Sequence, residues 1–255
     1  MWPWVSGYKC KNKLNTVFKF IPCKLVQRLY SKIHIQAMEA DLYPVKKKQE
    51  IMHTNKITTL FTDIGGVLLT NGWDHNSRKK AAEQFNLDAD ETASRHHLTF
   101  DTYESGKLSL DEYLDRTVFY EPRDFTKKDF QEFMFAQSRA IPGMIPFITE
   151  LKEKYKLKVA VVSNEGRELN EYRIAKFELG KFVDFFISSS FVHFRKPDID
   201  IFKIALDVAQ VNPGEILYIE DRPMFISVAE TLGITGIHHE NPEKTKAILA
   251  EYGLH

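Results

Sequence analysis

A chain of 255 residues with 43% hydrophobic and 27% charged residues has the composition of a soluble globular protein, not of a disordered or fibrous one. Its 35 Lys and Arg balance 35 Asp and Glu, which leaves no overall basic field for nucleic acid. The two cysteines exclude a disulfide framework, and no run of 18 apolar residues offers a membrane-spanning helix.

The charge balance hides a step. Residues 1–51 carry ten Lys or Arg against three Asp or Glu, and both Cys10 and Cys23 lie there. Residues 1–55 are expected to form a basic, poorly packed N-terminal extension. Asn15–Tyr30 has apolar residues at near-helical spacing with lysines between them, the pattern of an organelle address, but Pro22 interrupts it and Arg28 is its one arginine. Met38 and Met52 are internal start candidates, Lys46–Lys48 reads as a solvated linker, and the cytoplasm is the expected compartment.

From Lys56 the pattern becomes regular. Ile57–Phe61 favours a strand and ends at Thr62-Asp63, ahead of Gly65-Gly66. Four helices follow, at about Ser77–Phe85, Ala89–Tyr103, Ser109–Phe119 and Thr126–Ser138, with start signals at Asp88 or Asp90, Ser109 and Thr126. Pro142–Tyr155 is a further helix, and Lys158–Ser163 (KVAVVS) a buried strand. Glu165–Leu179 reads as a helix stopped by Gly180, and Phe182–Ser188 holds a strand. Pro197–Ala209 is a helix with Pro in its first turn, and Glu215–Glu220 (EILYIE) a strand. Pro223–Leu232, Thr235–His238 and Asn241–Tyr252 complete the chain as helix, strand and helix.

Strands alternating with helices predict an α/β fold: a Rossmann-like parallel sheet with helices on both faces. The helical block after the first strand predicts a small all-helical cap, residues 71–141, inserted into a core formed by residues 56–70 and 142–255. Ligands of such sheets bind beyond the carboxyl ends of the strands.

Four strand ends carry chemistry. Asp63, before two glycines, can be a nucleophile, a metal ligand or a turn cap, and Gly65-Gly66 permit close approach of a ligand. Ser163-Asn164 stands before a helix N-terminus, where it can hold an anion or cap the helix. Lys196 can neutralise a phosphate or remain solvated. Glu220-Asp221 places two acids side by side, and a hard divalent cation would relieve their repulsion if both were buried.

In this order and at these places, the residues resemble the haloacid dehalogenase-like hydrolase superfamily. Asp63-Ile64-Gly65-Gly66-Val67 matches its first motif, Ser163 the second, Lys196 the third and Glu220-Asp221 the fourth, from about Ile57 to the C-terminus. The helical insert resembles the four-helix cap of one subgroup. The resemblance implies a Mg2+-dependent phosphatase of a small phosphorylated metabolite, a sugar or acyl phosphate, and neither nucleic acid nor membrane is expected as a partner. It implies Asp63 as the nucleophile that forms an aspartyl-phosphate. Asp63, the Gly65 carbonyl, Asp221 and Glu220 (directly or through water) are the implied Mg2+ ligands. Ser163 would hold phosphoryl oxygens and Lys196 would balance charge. Gly66, Asn164 and Trp73 are expected at the substrate, although Trp73 also suits core packing.

Two positions depart from the family pattern. Gly65 stands where phosphatases usually carry a second Asp as general acid and base, a loss of about 10²–10⁴-fold in rate. Substrates with good leaving groups would tolerate it, or a cap residue would substitute, with Asp74, His75, Arg95, His96, His97 and Glu104 as candidates. Phe225 stands where an acid or Asn often supports the metal. Two alternatives follow: a metal-independent 2-haloacid dehalogenase, which the Glu220-Asp221 pair disfavours, and a non-catalytic binding protein. The pairs His96-His97 and His238-His239 do not chelate a metal by themselves, since adjacent helical residues point about 100° apart. His193 and Arg195 are expected near the mouth of the site or in solvent.

Overall fold

The computed structural model describes residues 56–255, so the expectations for residues 1–55 lie outside the described residues. Five strands form one parallel sheet: β1 (Thr59–Thr62), β2 (Lys158–Ser163), β3 (Phe185–Ser188), β4 (Ile216–Glu220) and β5 (Thr235–His238). Their order is β3-β2-β1-β4-β5. Alternate strand residues enter opposite cores, as a sheet covered on both faces requires. Leu60, Val159, Val161, Leu217 and Ile219 pack with Ile148 and Leu151 of α5 (Met144–Tyr155) and Leu249 of α10 (Pro242–Glu251). Phe61, Ala160, Val162 and Tyr218 face Phe202 and Ala205 of α8 (Ile199–Ala209) and Ala229 of α9 (Pro223–Glu230).

Between β1 and β2 lie α1 (His75–Gln84), α2 (Ala89–Glu104), α3 (Leu110–Thr117) and α4 (Lys127–Ala136), before α5. Each of the four starts at a side-chain cap. Asp74 Oδ1 accepts from Ser77 N and Asp88 Oδ1 from Glu91 N, while Ser109–Glu112 and Thr126–Asp129 form reciprocal capping boxes. The helices enclose their own aromatic centre. Phe130 is fully buried there against Trp73, Phe85, Phe119 and Phe125. Its truncation to Ala would cost about 3–5 kcal/mol.

The cap leaves and rejoins the core at one place. Leu69 bridges Ala140 in antiparallel fashion, Thr70 N donates to the Arg139 carbonyl (2.8 Å), and Ile141 N donates to the Leu68 carbonyl (2.9 Å). Arg173 of α6 (Arg167–Lys176) braces both tethers, donating to the Thr70 carbonyl (3.0 Å) and Ser138 Oγ (3.0 Å), and it pairs with buried Glu165.

Three local expectations need correction. Gly180 does not stop α6; the helix ends at Lys176, and Glu178 takes the left-handed conformation at φ 52° ahead of a 3-10 turn over Leu179–Lys181. Pro197 lies outside α8, because the Asp198 side chain caps that helix at Asp200 N. A four-residue helix, α7 (Ser189–Val192), follows β3 where no element was predicted. Among the described residues, no helix is long and apolar enough to cross a membrane.

Candidate active site

The strand order reverses between β1 and β4, so a crevice opens beyond their carboxyl ends. Asp63 is the first residue past β1, and its backbone N–H still bonds the Ile219 carbonyl of β4 at 3.0 Å. Its carboxylate is buried; Oδ1 accepts from Ile64 N at 2.8 Å and lies 3.2 Å from Lys196 Nζ. Burial first, and the Glu220 charge second, push its pKa up to about 6, against the opposing pull of Lys196, Ser163 and the Ile64 amide.

The chain then turns tightly, with Leu68 N and Leu69 N both donating to the Ile64 carbonyl. Gly66 adopts φ +77°, and a Cβ there would lie 2.2 Å from Asp221 Oδ2. Its N–H bonds the Leu69 carbonyl at 2.7 Å. The bare Cα of Gly66 thus lets Asp221 approach the loop. A Cβ on Gly65 would meet Asn71 Oδ1 at 2.9 Å.

Lys196 is 1% exposed. Its Nζ donates to Glu220 Oε2 (2.6 Å), Tyr218 OH (3.0 Å) and the Val162 carbonyl (3.1 Å). Burial lowers its pKa, but Asp63 and Glu220 together outweigh burial and raise it. Lys196 thus remains a buried ammonium between two carboxylates. Asn164 fixes its backbone, accepting from Lys196 N (2.7 Å) and donating to Lys196 O (2.9 Å). Asn164 also lines the cavity in front of Asp63, where substrate contact was expected of it. Phe225 places its ring 5.1 Å from Lys196 Nζ.

Oxygen atoms of Asp63, Glu220 and Asp221 all lie within 4.8 Å of one another. Asp221 Oδ1 is buried without a hydrogen-bond partner among the described residues, and Oδ2 accepts only a long 3.4 Å contact from Asn71 Nδ2. Hard oxygen donors with an uncommitted buried lone pair fit a divalent cation such as Mg2+. Glu220 is the most committed of the three: Oε2 accepts from Lys196 and Tyr218, and Oε1 from Arg222 N (3.1 Å). Ser163 Oγ is also buried, beside Asp63 and without a partner of hydrogen-bond geometry.

A cavity of about 260 Å³ lies in front of Asp63, Gly65 and Lys196. The cap side of its wall includes Trp73, Asp74, His75, Arg78, His96 and Glu104. Trp73 is buried in the cap core as well, with its indole N–H on Tyr113 OH at 3.0 Å. Of the candidate proton donors, Asp74, His75, His96 and Glu104 line the cavity, and Arg95 and His97 do not. Arg95 instead pairs with Glu91 and covers the Tyr120 ring. Arg195 ties the core to the cap through Glu104 (2.6 Å) and Asp101 (2.6 Å), and His193 bonds the Ser105 carbonyl (2.8 Å). His238 and His239 bond the Asp221 carbonyl and Thr245 Oγ1.

The sequence reading missed Tyr218, Glu165, Arg173 and Arg78. Tyr218 was accessible to it, since residues two apart on β4 share a face with Glu220. The other three depend on contacts between distant segments.

A family model described as haloacid dehalogenase-like hydrolase matches residues 57–233. A curated relative, flavin mononucleotide hydrolase 1 of Arabidopsis thaliana, designated chloroplastic, is 24% identical over 166 residues. The match covers 63% of this chain and 64% of the relative, so it spans less than two thirds of that protein. The magnesium complex of a HAD family enzyme from Bacteroides thetaiotaomicron has a TM-score of 0.66 at 19% identity, over 76% of this chain and 99% of that one. A dehalogenase structure has a TM-score of 0.54 at 18% identity, over 74% of this chain and 88% of that one. These structures share the fold.

Proposed function

The chain belongs to the haloacid dehalogenase-like hydrolase family, and from that premise we propose that it is a Mg2+-dependent phosphatase of a small phosphorylated metabolite. The observation that carries the reading is the meeting of Asp63, Glu220 and Asp221 within 4.8 Å, beside buried Lys196. Asp63, Asp221 and the Gly65 carbonyl would hold the metal, with Glu220, whose oxygens already accept from Lys196, Tyr218 and Arg222 N, reaching it through water. Bound there, Mg2+ would supply charge stabilisation to the transferring phosphoryl group.

Asp63 attacks phosphorus through a carboxylate oxygen, and the bond from phosphorus to the leaving oxygen breaks. Its ionised form is the reactive one, and Lys196 favours that form from 3.2 Å. Ser163 Oγ and Lys196 donate to the developing charge on the phosphoryl oxygens. Water then attacks the aspartyl-phosphate, releasing inorganic phosphate and restoring the Asp63 carboxylate. With Gly65 at the usual general-acid position, the first step favours leaving groups that depart with little protonation, such as acyl and anomeric phosphates.

The dehalogenase reading meets an obstacle at Glu220 and Asp221, whose charges would oppose a carboxylate substrate beside Asp63. The name of the Arabidopsis relative makes flavin mononucleotide a necessary member of any substrate panel. The cytoplasm is the compartment we propose, to be checked by imaging the tagged full chain.

The test is release of phosphate from p-nitrophenyl phosphate, acetyl phosphate, glucose 1-phosphate and flavin mononucleotide, with and without Mg2+. Mg2+-dependent turnover lost in Asp63→Asn supports the reading. No turnover of any of them, or halide release from 2-chloropropionate without metal, overturns it.

A further inference from the structure

Lys196, Arg173 and Arg195, three of the cations in the cavity wall, each have a carboxylate within ion-pair distance. Arg78, on the cap helix α1, is half-buried and has none among the described residues. One of its nitrogens, Nη1, donates to the Trp73 carbonyl at 2.7 Å, which holds the guanidinium at the wall. The nearby Asp74 spends Oδ1 on capping α1.

Beside Arg78 stands His96, 8% exposed and also in the cavity wall. Its Nδ1 lies 2.7 Å from Tyr113 OH, which receives the Trp73 indole N–H at 3.0 Å. An indole nitrogen only donates, so the phenol oxygen accepts there; its own proton finds an acceptor among the described residues only if His96 Nδ1 is unprotonated, which favours that tautomer. The imidazole proton then sits on Nε2. Burial, then Arg78, then His97 lower the His96 pKa to about 3, so the ring is neutral and its tautomer is favoured by Tyr113. Nε2 makes no hydrogen bond among the described residues. The cap wall therefore presents a guanidinium without an ion pair among the described residues, its charge offset only in part by Asp74, and beside it a neutral imidazole whose Nε2 is uncommitted.

We propose that Arg78 and His96 form a second oxyanion subsite, and that the substrate is a phosphate monoester whose leaving group carries a carboxylate or a second phosphate. The proposal rests on the phosphatase reading for which end of the substrate reacts. Asp63 and Lys196 take the phosphoryl group to be transferred, and the cap subsite takes the far anion and orients the leaving group. Because a guanidinium without an ion pair is better satisfied by an oxyanion than by a hydroxyl, the subsite selects for charge at the far end.

The experiment compares matched pairs with the full chain and Mg2+: 3-phosphoglycerate against glycerol 3-phosphate, and fructose 1,6-bisphosphate against fructose 6-phosphate. The first pair tests a distal carboxylate and the second a distal phosphate. Wild type is expected to favour the doubly anionic member of at least one pair in kcat/KM. Arg78→Gln should reduce that preference on the order of 10–100-fold, the range for a hydrogen bond to a charged group. Arg78→Lys should restore part of it, and His96→Phe should reduce it mainly through KM. Calorimetric titration of wild type and Arg78→Gln with 3-phosphoglycerate and fructose 1,6-bisphosphate gives a readout independent of turnover. Preference absent in wild type, or unchanged in folded Arg78→Gln, overturns the subsite even if phosphate is released. Arg78-dependent binding without turnover supports the subsite while the phosphatase reading falls.

Discussion

Gly66 and Asp221 are packed so closely that the loop after β1 and the end of β4 function as one surface: the space a Cβ would take on Gly66 is filled by Asp221 Oδ2, 2.2 Å away. Gly66→Ala must therefore displace Asp221 and also strain a backbone at φ +77°. The expected result is a loss of Mg2+ affinity of about 10–100-fold, the range for disturbing groups that orient a metal ligand. Titration of activity and of melting temperature with Mg2+ measures it; an unchanged half-saturation point contradicts the prediction.

Removing the metal has a matching thermodynamic signature. If Asp63, Asp221 and the Gly65 carbonyl hold a divalent cation only in the folded state, Mg2+ at a hundred times its dissociation constant adds about 2.7 kcal/mol of stability. Chelation should lower the melting temperature of wild type. Asp221→Asn should show little response to either Mg2+ or chelator. Equal shifts in wild type and variant would place the cation elsewhere.

Lys196 is the charge that makes this cluster of acids tolerable. Lys196→Met leaves Asp63 and Glu220 buried without their cation, at a cost of about 3–5 kcal/mol. Tyr218→Phe removes one donor to Glu220 while keeping Lys196 in place, at a cost of about 1–3 kcal/mol. Urea unfolding should rank wild type, Tyr218→Phe and Lys196→Met in that order of decreasing stability.

The pH dependence of metal-free protein should carry the mark of Asp63. Its pKa is raised from 3.8 to about 6, so the folded state favours the protonated form. This contribution is fully present below the unfolded value and is lost as pH rises through the folded value. Asp63→Asn keeps the neutral state at all pH. It should be more stable than wild type at pH 8, by on the order of 2–3 kcal/mol for a shift of this size, with the difference vanishing toward pH 4. Paired unfolding curves at pH 4, 6 and 8 test this, and Asp63→Asn should also abolish hydrolysis. A variant less stable than wild type at pH 8 would contradict the assigned burial penalty.

The sheet was legible because its information is local. KVAVVS and TGIH appear as strands at the residues predicted, and the acids that follow β1 and β4 fall at the strand ends where chemistry was sought. Cap helices were equally legible, since Ser109 with Glu112 and Thr126 with Asp129 mark their own starts. The packing partners of Gly66 and Asn164 were not. Each depends on a partner brought in by folding, Asp221 for one and the Lys196 backbone for the other, and nothing in neighbouring sequence encodes that distance. Arg78 was invisible for the same reason: that it lines the cavity without an ion pair shows only in the packed cap.

The two tethers of the cap run side by side, Leu69 against Ala140 and Thr70 against Arg139, with Arg173 beneath them. Departure and return thus occupy adjacent backbones, and the pairing of β1 with β2 and β4 makes no demand on the length of what lies between. A lineage could exchange the whole helical insert for another without re-registering a single strand.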